Sequence, residues 1–145
     1  MRLTSKEALS YFNKGLNCAQ AVLSAFCEEY GLSRETAYRI AGGLGSGMRS
    51  GEICGAVSGA VLVIGLKYGQ KTYSDVESKK TCYEKTEEFL KKYGDANGSI
   101  ICRDLLGCDI STDEGRKTAN AKDLYNTVCV EKIKSALTLL EELGY

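Results

Sequence analysis

Gly51-Glu52-Ile53-Cys54-Gly55-Ala56-Val57-Ser58-Gly59-Ala60-Val61-Leu62-Val63-Ile64-Gly65-Leu66 is the stretch that decides the fold. From Ile53 to Leu66 it is apolar all round and uncharged for 14 residues. A helix of that kind is buried in a protein core, and it falls short of the ~20 residues a bilayer span requires. It is predicted to run over 52–68 as the central helix of a bundle. Gly51, Gly55 and Gly59 recur every four residues, beside Ala56 and Ala60. That spacing leaves a face without bulky side chains, where a second helix, a ligand or a second copy of the chain can approach closely. Tight packing within one chain is the plainest of these readings, and a homodimer contact is the alternative.

Outward from this segment the punctuation is helical. A Ser or Thr with Glu three residues later satisfies orphan amide donors reciprocally. Thr4 with Glu7, Ser74 with Glu77 and Ser111 with Glu114 fit that pattern. Ser33 is a plain N-cap with Glu35 in the first turn. Gly31, Gly69, Gly94, Gly107 and Gly144 each follow a helical run as a stop. The predicted helices are 4–14, 17–30, 33–42, 52–68, 74–93, 99–106, 112–121 and 127–143. Nothing alternates with period two for long enough to make a strand. The helix over 74–93 is mostly charged, with Cys82, Phe89 and Tyr93 as its apolar stripe, so it packs on one side only. The expected fold is all-α: a single-domain helical bundle over 1–145, built around the Gly/Ala-rich helix.

Composition removes several function classes. Lys plus Arg is 19 and Asp plus Glu is 19, a net charge of zero. With no basic excess, neither nucleic acid nor an anionic membrane is the expected partner, and no membrane insertion is expected. Met1-Arg2-Leu3-Thr4-Ser5-Lys6-Glu7 has no apolar run after its basic residue, so no secretory signal is read and the expected compartment is the cytoplasm. There is no His, which excludes imidazole metal sites, histidine general bases and a Ser-His-Asp hydrolase.

What remains is sulfur. The chain has seven Cys, an odd number, and in a reducing compartment grouped thiols are more often catalytic or metal-binding than cross-links. Cys18 follows the cap Asn17, Cys54 opens the central helix, Cys102 lies three residues after Ser99, and Cys129 lies three after Asn126. All four fall within the first turn of a predicted helix. A helix N-terminus carries unpaired N–H groups and about half a positive charge, which stabilises a thiolate and lowers its pKa. Cys27 is on the opposite face of the Cys18 helix, Cys82 belongs to the core stripe, and Cys108 follows the stop at Gly107 as a candidate resolving thiol for Cys102. No pair has C-x-x-C spacing, so a thioredoxin motif, a zinc ribbon and a ferredoxin run are all unsupported. The Gly-rich segment 42–51 matches no phosphate-binding pattern. It reads as a mobile connector, or as backbone that approaches a ligand with Arg49 beside it.

Asn17-Cys18-Ala19-Gln20-Ala21-Val22, Cys54-Gly55-Ala56 with Gly59, Cys102-Arg103-Asp104-Leu105-Leu106-Gly107 and Thr127-Val128-Cys129 resemble the segments of a family of redox-active proteins named for the pattern C_GCAxxG_C_C. The resemblance runs over nearly the whole chain. It implies a bacterial or archaeal cytoplasmic protein with a redox role, and it carries the family cysteines onto Cys18, Cys54, Cys102 and Cys129.

Three functions stay open at this point. In the first, these cysteines cycle between thiolate and disulfide as a thiol–disulfide oxidoreductase would, with a redox partner protein or a small molecule. In the second, the same four sulfurs hold Zn or an iron–sulfur cluster as a metal or electron-transfer site. In the third, the chain is a helical interaction module whose cysteines only pack.

Overall fold

In the computed structural model, which describes residues 2–145, the chain folds into helices joined by short turns. Met1, the first residue of the stretch read for a signal, lies outside the described residues. The order is α1 (Ser5–Asn13), α2 (Cys18–Phe26) continued by a 3₁₀ turn (Cys27–Tyr30), α3 (Arg34–Ile40), α4 (Gly55–Tyr68), α5 (Val76–Asn97), α6 (Cys102–Leu106), α7 (Asp113–Ala121) and α8 (Val130–Glu142). Among the described residues there is no strand, only a single antiparallel bridge between Ile53 and Ile101. Among the described residues no helix is long and apolar enough to cross a membrane.

The apolar helix α4 is central, packed by α2, α5 and α8. Its glycine face is covered by α2 of the same chain. A Cβ at Gly59 would lie 2.7 Å from the Ala19 carbonyl oxygen, and one at Gly55 would lie 3.0 Å from Cys18 Cβ. Any side chain there would hold the helices apart, so glycine sets the approach. Val57, Ile64, Phe26, Phe89, Tyr93 and Ile133 are fully buried around this axis. A second, smaller cluster forms from Cys102, Leu106, Ile110 and Ala119, with Tyr125, Val128 and Cys129 packed against it.

Several boundaries differ from expectation for identifiable reasons. Thr4 and Glu7 form the expected capping box, and Ser33 caps α3 by accepting from Thr36 N–H. At the starts of α5 and α7 the cap moves one residue on. Asp75 accepts from Ser78 N–H, and Thr112 accepts from Gly115 N–H. Ser74/Asp75 and Ser111/Thr112 are adjacent residues that can both cap, so the sequence leaves the start open by one residue. Gly94 does not stop α5, which runs on to Asn97 and ends at left-handed Gly98. Ser99 is not the cap of α6. It accepts from Ile101 N–H and donates to Asp104, while α6 starts at Cys102.

Segment 42–51 is not a featureless connector. Ser46, Gly47, Met48 and Arg49 take φ of 57°, 62°, 59° and 55°, a turn of left-handed helix. Each non-glycine residue there costs roughly 1–2 kcal/mol. Glu52 N–H closes the turn on the Gly47 carbonyl at 3.0 Å.

Candidate functional site

Two chain crossings assemble the site. At the Ile53–Ile101 bridge, Cys54 N–H donates to Ile100 O at 2.8 Å and Cys102 N–H donates to Glu52 O at 2.6 Å. In an antiparallel pair, the residues following two opposed partners project to the same side, so one bridge aims Cys54 and Cys102 at a common space. Arg103 locks the crossing from outside, pairing with Glu52 at 2.7 Å and donating to Ser50 O. Gly47 lies against Cys102, where an added Cβ would sit 2.9 Å from the cysteine Cβ.

The other crossing brings α2 to the start of α8. Asn17 caps α2 in a reciprocal box with Gln20, and its amide donates to Ala41 O and Gly42 O. This fixes Cys18, the first residue of the helix. Cys129 arrives differently. The expected break at Asn126 is absent, because the chain turns helical from Leu124, with Thr127 N–H bonded to Asp123 O. A π-helical turn, Tyr125–Cys129, then runs directly into α8. Asn126 points back to donate to Asp123 instead of capping.

Cys18, Cys54, Cys102 and Cys129 all line one cavity of ≈ 180 Å³. The cavity lies where the two apolar clusters meet. Cys54 belongs to the main core and Cys18 packs against it, while Cys102 belongs to the smaller cluster and Cys129 packs against that one. The seven cysteines stand as free thiols. Cys108 is half-buried in the smaller cluster beside Cys102 and does not line the cavity. Cys27 is fully buried and donates to Ser24 O, and Cys82 packs on the core. Among the described residues, no three Cys, Asp or Glu side chains are grouped closely enough to hold a metal ion.

Electrostatics separate the four thiols. Helix-start position alone led to the expectation of four lowered pKa values, but only Cys129 is lowered, chiefly by a hydrogen bond from the Cys18 thiol. Cys18 is correspondingly raised, by that same bond and by burial. The pair therefore titrates as a unit, one thiol giving up its proton before the other. Burial pushes Cys102 up to about 12. Burial also raises Cys54, opposed by hydrogen bonds from Ala56 N–H and Val57 N–H in the first turn of α4 and from the Tyr93 hydroxyl. The helix-start effect is thus present at Cys54, and desolvation outweighs it.

Nothing in the sequence marks Tyr93, one of nine tyrosines, as a site residue. It is fully buried, stacks on Phe89 at 5.8 Å and reaches the Lys132 carbonyl at 3.4 Å. Its hydroxyl lies among Cys54, Cys18 and Cys129. Its only sequence signal was a place in the apolar stripe of α5, which says nothing about a hydroxyl.

A helical bundle with cysteines from four separate elements facing one cavity defines a cysteine-centred all-α protein. The chain belongs to the family described as "Putative redox-active protein (C_GCAxxG_C_C)", which it matches over residues 16–143. No curated protein and no solved structure matches it.

Proposed function

We propose that this protein is a dithiol–disulfide exchange protein in which Cys129 is the attacking thiolate and Cys18 its resolving partner. The observation that carries this reading is that Cys18 and Cys129 line one cavity with two further cysteines, with the Cys18 thiol placed to hydrogen-bond an ionised Cys129. The thiolate is the nucleophile in exchange, and a neighbouring thiol that holds the missing proton can give it to the leaving group. Cys18 is then a thiolate within reach of Cys129, and closing that bond completes a two-electron exchange. Cys54 and Cys102, both held protonated, form a second dithiol to which the disulfide can pass. When Cys54 ionises, two backbone N–H groups and the Tyr93 hydroxyl receive its charge.

Mild oxidation of the reduced protein with a small disulfide, followed by peptide mapping, tests this. The expected product is a Cys18–Cys129 disulfide with Cys27 and Cys82 still free. Oxidation spread evenly over all seven thiols, or none at Cys129, contradicts the assignment.

A further inference from the structure

We propose that the four-cysteine cavity binds an uncharged, low-molecular-weight organic disulfide as the acceptor of the exchange. This rests on the redox reading above and adds the class of its substrate. Size is the first constraint. The cavity measures ≈ 180 Å³, and an apolar cavity of roughly 150 Å³ accommodates benzene. A molecule of about that size fits inside, whereas the disulfide loop of a folded protein does not.

Charge is the second constraint. Among the described residues no Asp, Glu or Arg lines the cavity, and Leu105, Leu106, Ile110, Val128 and Phe12 form much of its wall. Lys132, the one lining cation among the described residues, donates to Asn97 Oδ1 at 3.0 Å. The Asn17 amide is spent on Ala41 O and Gly42 O. An ammonium on the substrate would be desolvated without a counter-charge, and a dianion would find at most one cation, Lys132, for its two carboxylates.

The third constraint is the bond to be broken. A peroxide expels an alkoxide or hydroxide, which requires strong hydrogen-bond donors. Sulfur is a weak acceptor and leaves as a polarisable thiolate that tolerates an apolar wall. In the step itself, Cys129 Sγ attacks one sulfur of R–S–S–R. A Cys129–S bond forms, the substrate S–S bond breaks, and the departing thiolate takes the Cys18 proton. Cys18 Sγ then attacks Cys129 Sγ, forming the protein disulfide and expelling the second thiolate, which is protonated by solvent. The two cysteines lose two electrons, and the substrate gains them as two thiols.

Rapid-mixing oxidation of the reduced full-length protein distinguishes the classes. The oxidants are neutral diethyl disulfide, dicationic cystamine and dianionic dithiodipropionate, each rate divided by that of free cysteine under the same conditions. Diethyl disulfide is expected to lead both ions by about tenfold or more. Unreactive diethyl sulfide is expected to shift methyl NMR signals of Leu105, Ile110 and Val128 saturably and to slow the reaction. Formation of the Cys18–Cys129 disulfide without preference for the neutral reagent overturns the substrate class alone. So does a larger normalised rate with tert-butyl hydroperoxide. Saturable sulfide binding with no oxidation by any disulfide overturns the redox reading, and with it the substrate. Failure of the sulfide to bind overturns the cavity assignment.

Discussion

The Cys18 thiol is placed to donate a hydrogen bond to the Cys129 sulfur when that sulfur ionises, linking the first residue of α2 to the residue that precedes α8. That bond distinguishes this pair from the other thiols. It stabilises charge on one sulfur while keeping a proton on its neighbour, the state a dithiol requires before it attacks. The backbone makes the contact possible through two devices: the bare glycine face of α4 that seats α2, and the π turn that feeds Cys129 into α8.

Replacing Gly59 tests the first device. The Cβ of Gly59→Ala would meet the Ala19 carbonyl oxygen at 2.7 Å and Ala19 Cα at 2.9 Å, both backbone atoms. Overpacking of this kind costs about 1–3 kcal/mol. Gly65, on the same helix, has nothing within 4 Å, so Gly65→Ala is expected to be neutral or to stabilise by roughly 0.5–1 kcal/mol. Urea midpoints compare the two. Equal effects would mean that the glycine face does not set the approach of α2.

The Tyr93 hydroxyl, which donates to Lys132 O, is also placed to donate to the Cys54 sulfur when Cys54 ionises. In Tyr93→Phe, the pH midpoint for alkylation of Cys54 should move up, because a thiolate loses a donor while its desolvation stays. The accompanying loss of stability should be about 0.5–1.5 kcal/mol, the net worth of an ordinary hydrogen bond. An unchanged Cys54 profile would show that the hydroxyl serves Lys132 O alone.

Stability should fall with alkali. Burial holds Cys102 up at about 12, and Cys54 is also raised. The folded state therefore keeps protons that the unfolded state releases. That contribution is complete below the ordinary thiol value of 9.0 and is lost as pH rises toward about 12. Cys129, lowered, has the opposite sign: it contributes above its ordinary value, and the contribution is lost as pH falls through its folded pKa. With several groups raised and one lowered, the urea midpoint should drop steadily above about pH 9. A flat or rising midpoint there would contradict the burial of these thiols.

The left-handed turn offers a test by relief. Arg49 sits at φ 55° and is exposed, so Arg49→Gly removes backbone strain without disturbing a core contact. A gain of up to about 1 kcal/mol is expected after allowing for the extra entropy of the unfolded glycine. Destabilisation would show that the arginine side chain contributes more than its backbone costs.

These features were unequally visible in the amino-acid chain. The apolar run Ile53–Leu66 announced a central helix, and the caps at Thr4, Asn17 and Ser33 placed helix starts correctly, because both signals are local. The left-handed turn at Ser46–Arg49 was hidden, since Ser, Met and Arg carry no preference for positive φ and only the surrounding contacts impose it. The Ile53–Ile101 bridge is one residue pair long, too short to leave a period-two pattern, yet it is what aims Cys54 and Cys102 together. The set of four cysteines was reached from helix-start placement and from family likeness. Their unequal acidity was not, because it comes from burial and from one thiol meeting another across the fold.

Alkylation of each cysteine across a pH series, resolved by mass spectrometry of its peptide, tests the pairing of Cys18 with Cys129 most directly. In the unmodified protein, Cys129 should react first, with a midpoint below the ordinary thiol value of 9.0. In Cys18→Ala, which removes the donor, that midpoint should move back up toward 9.0. A Cys129 midpoint at or above 9.0 that is unmoved by Cys18→Ala would contradict the claim that these two cysteines act as one redox pair.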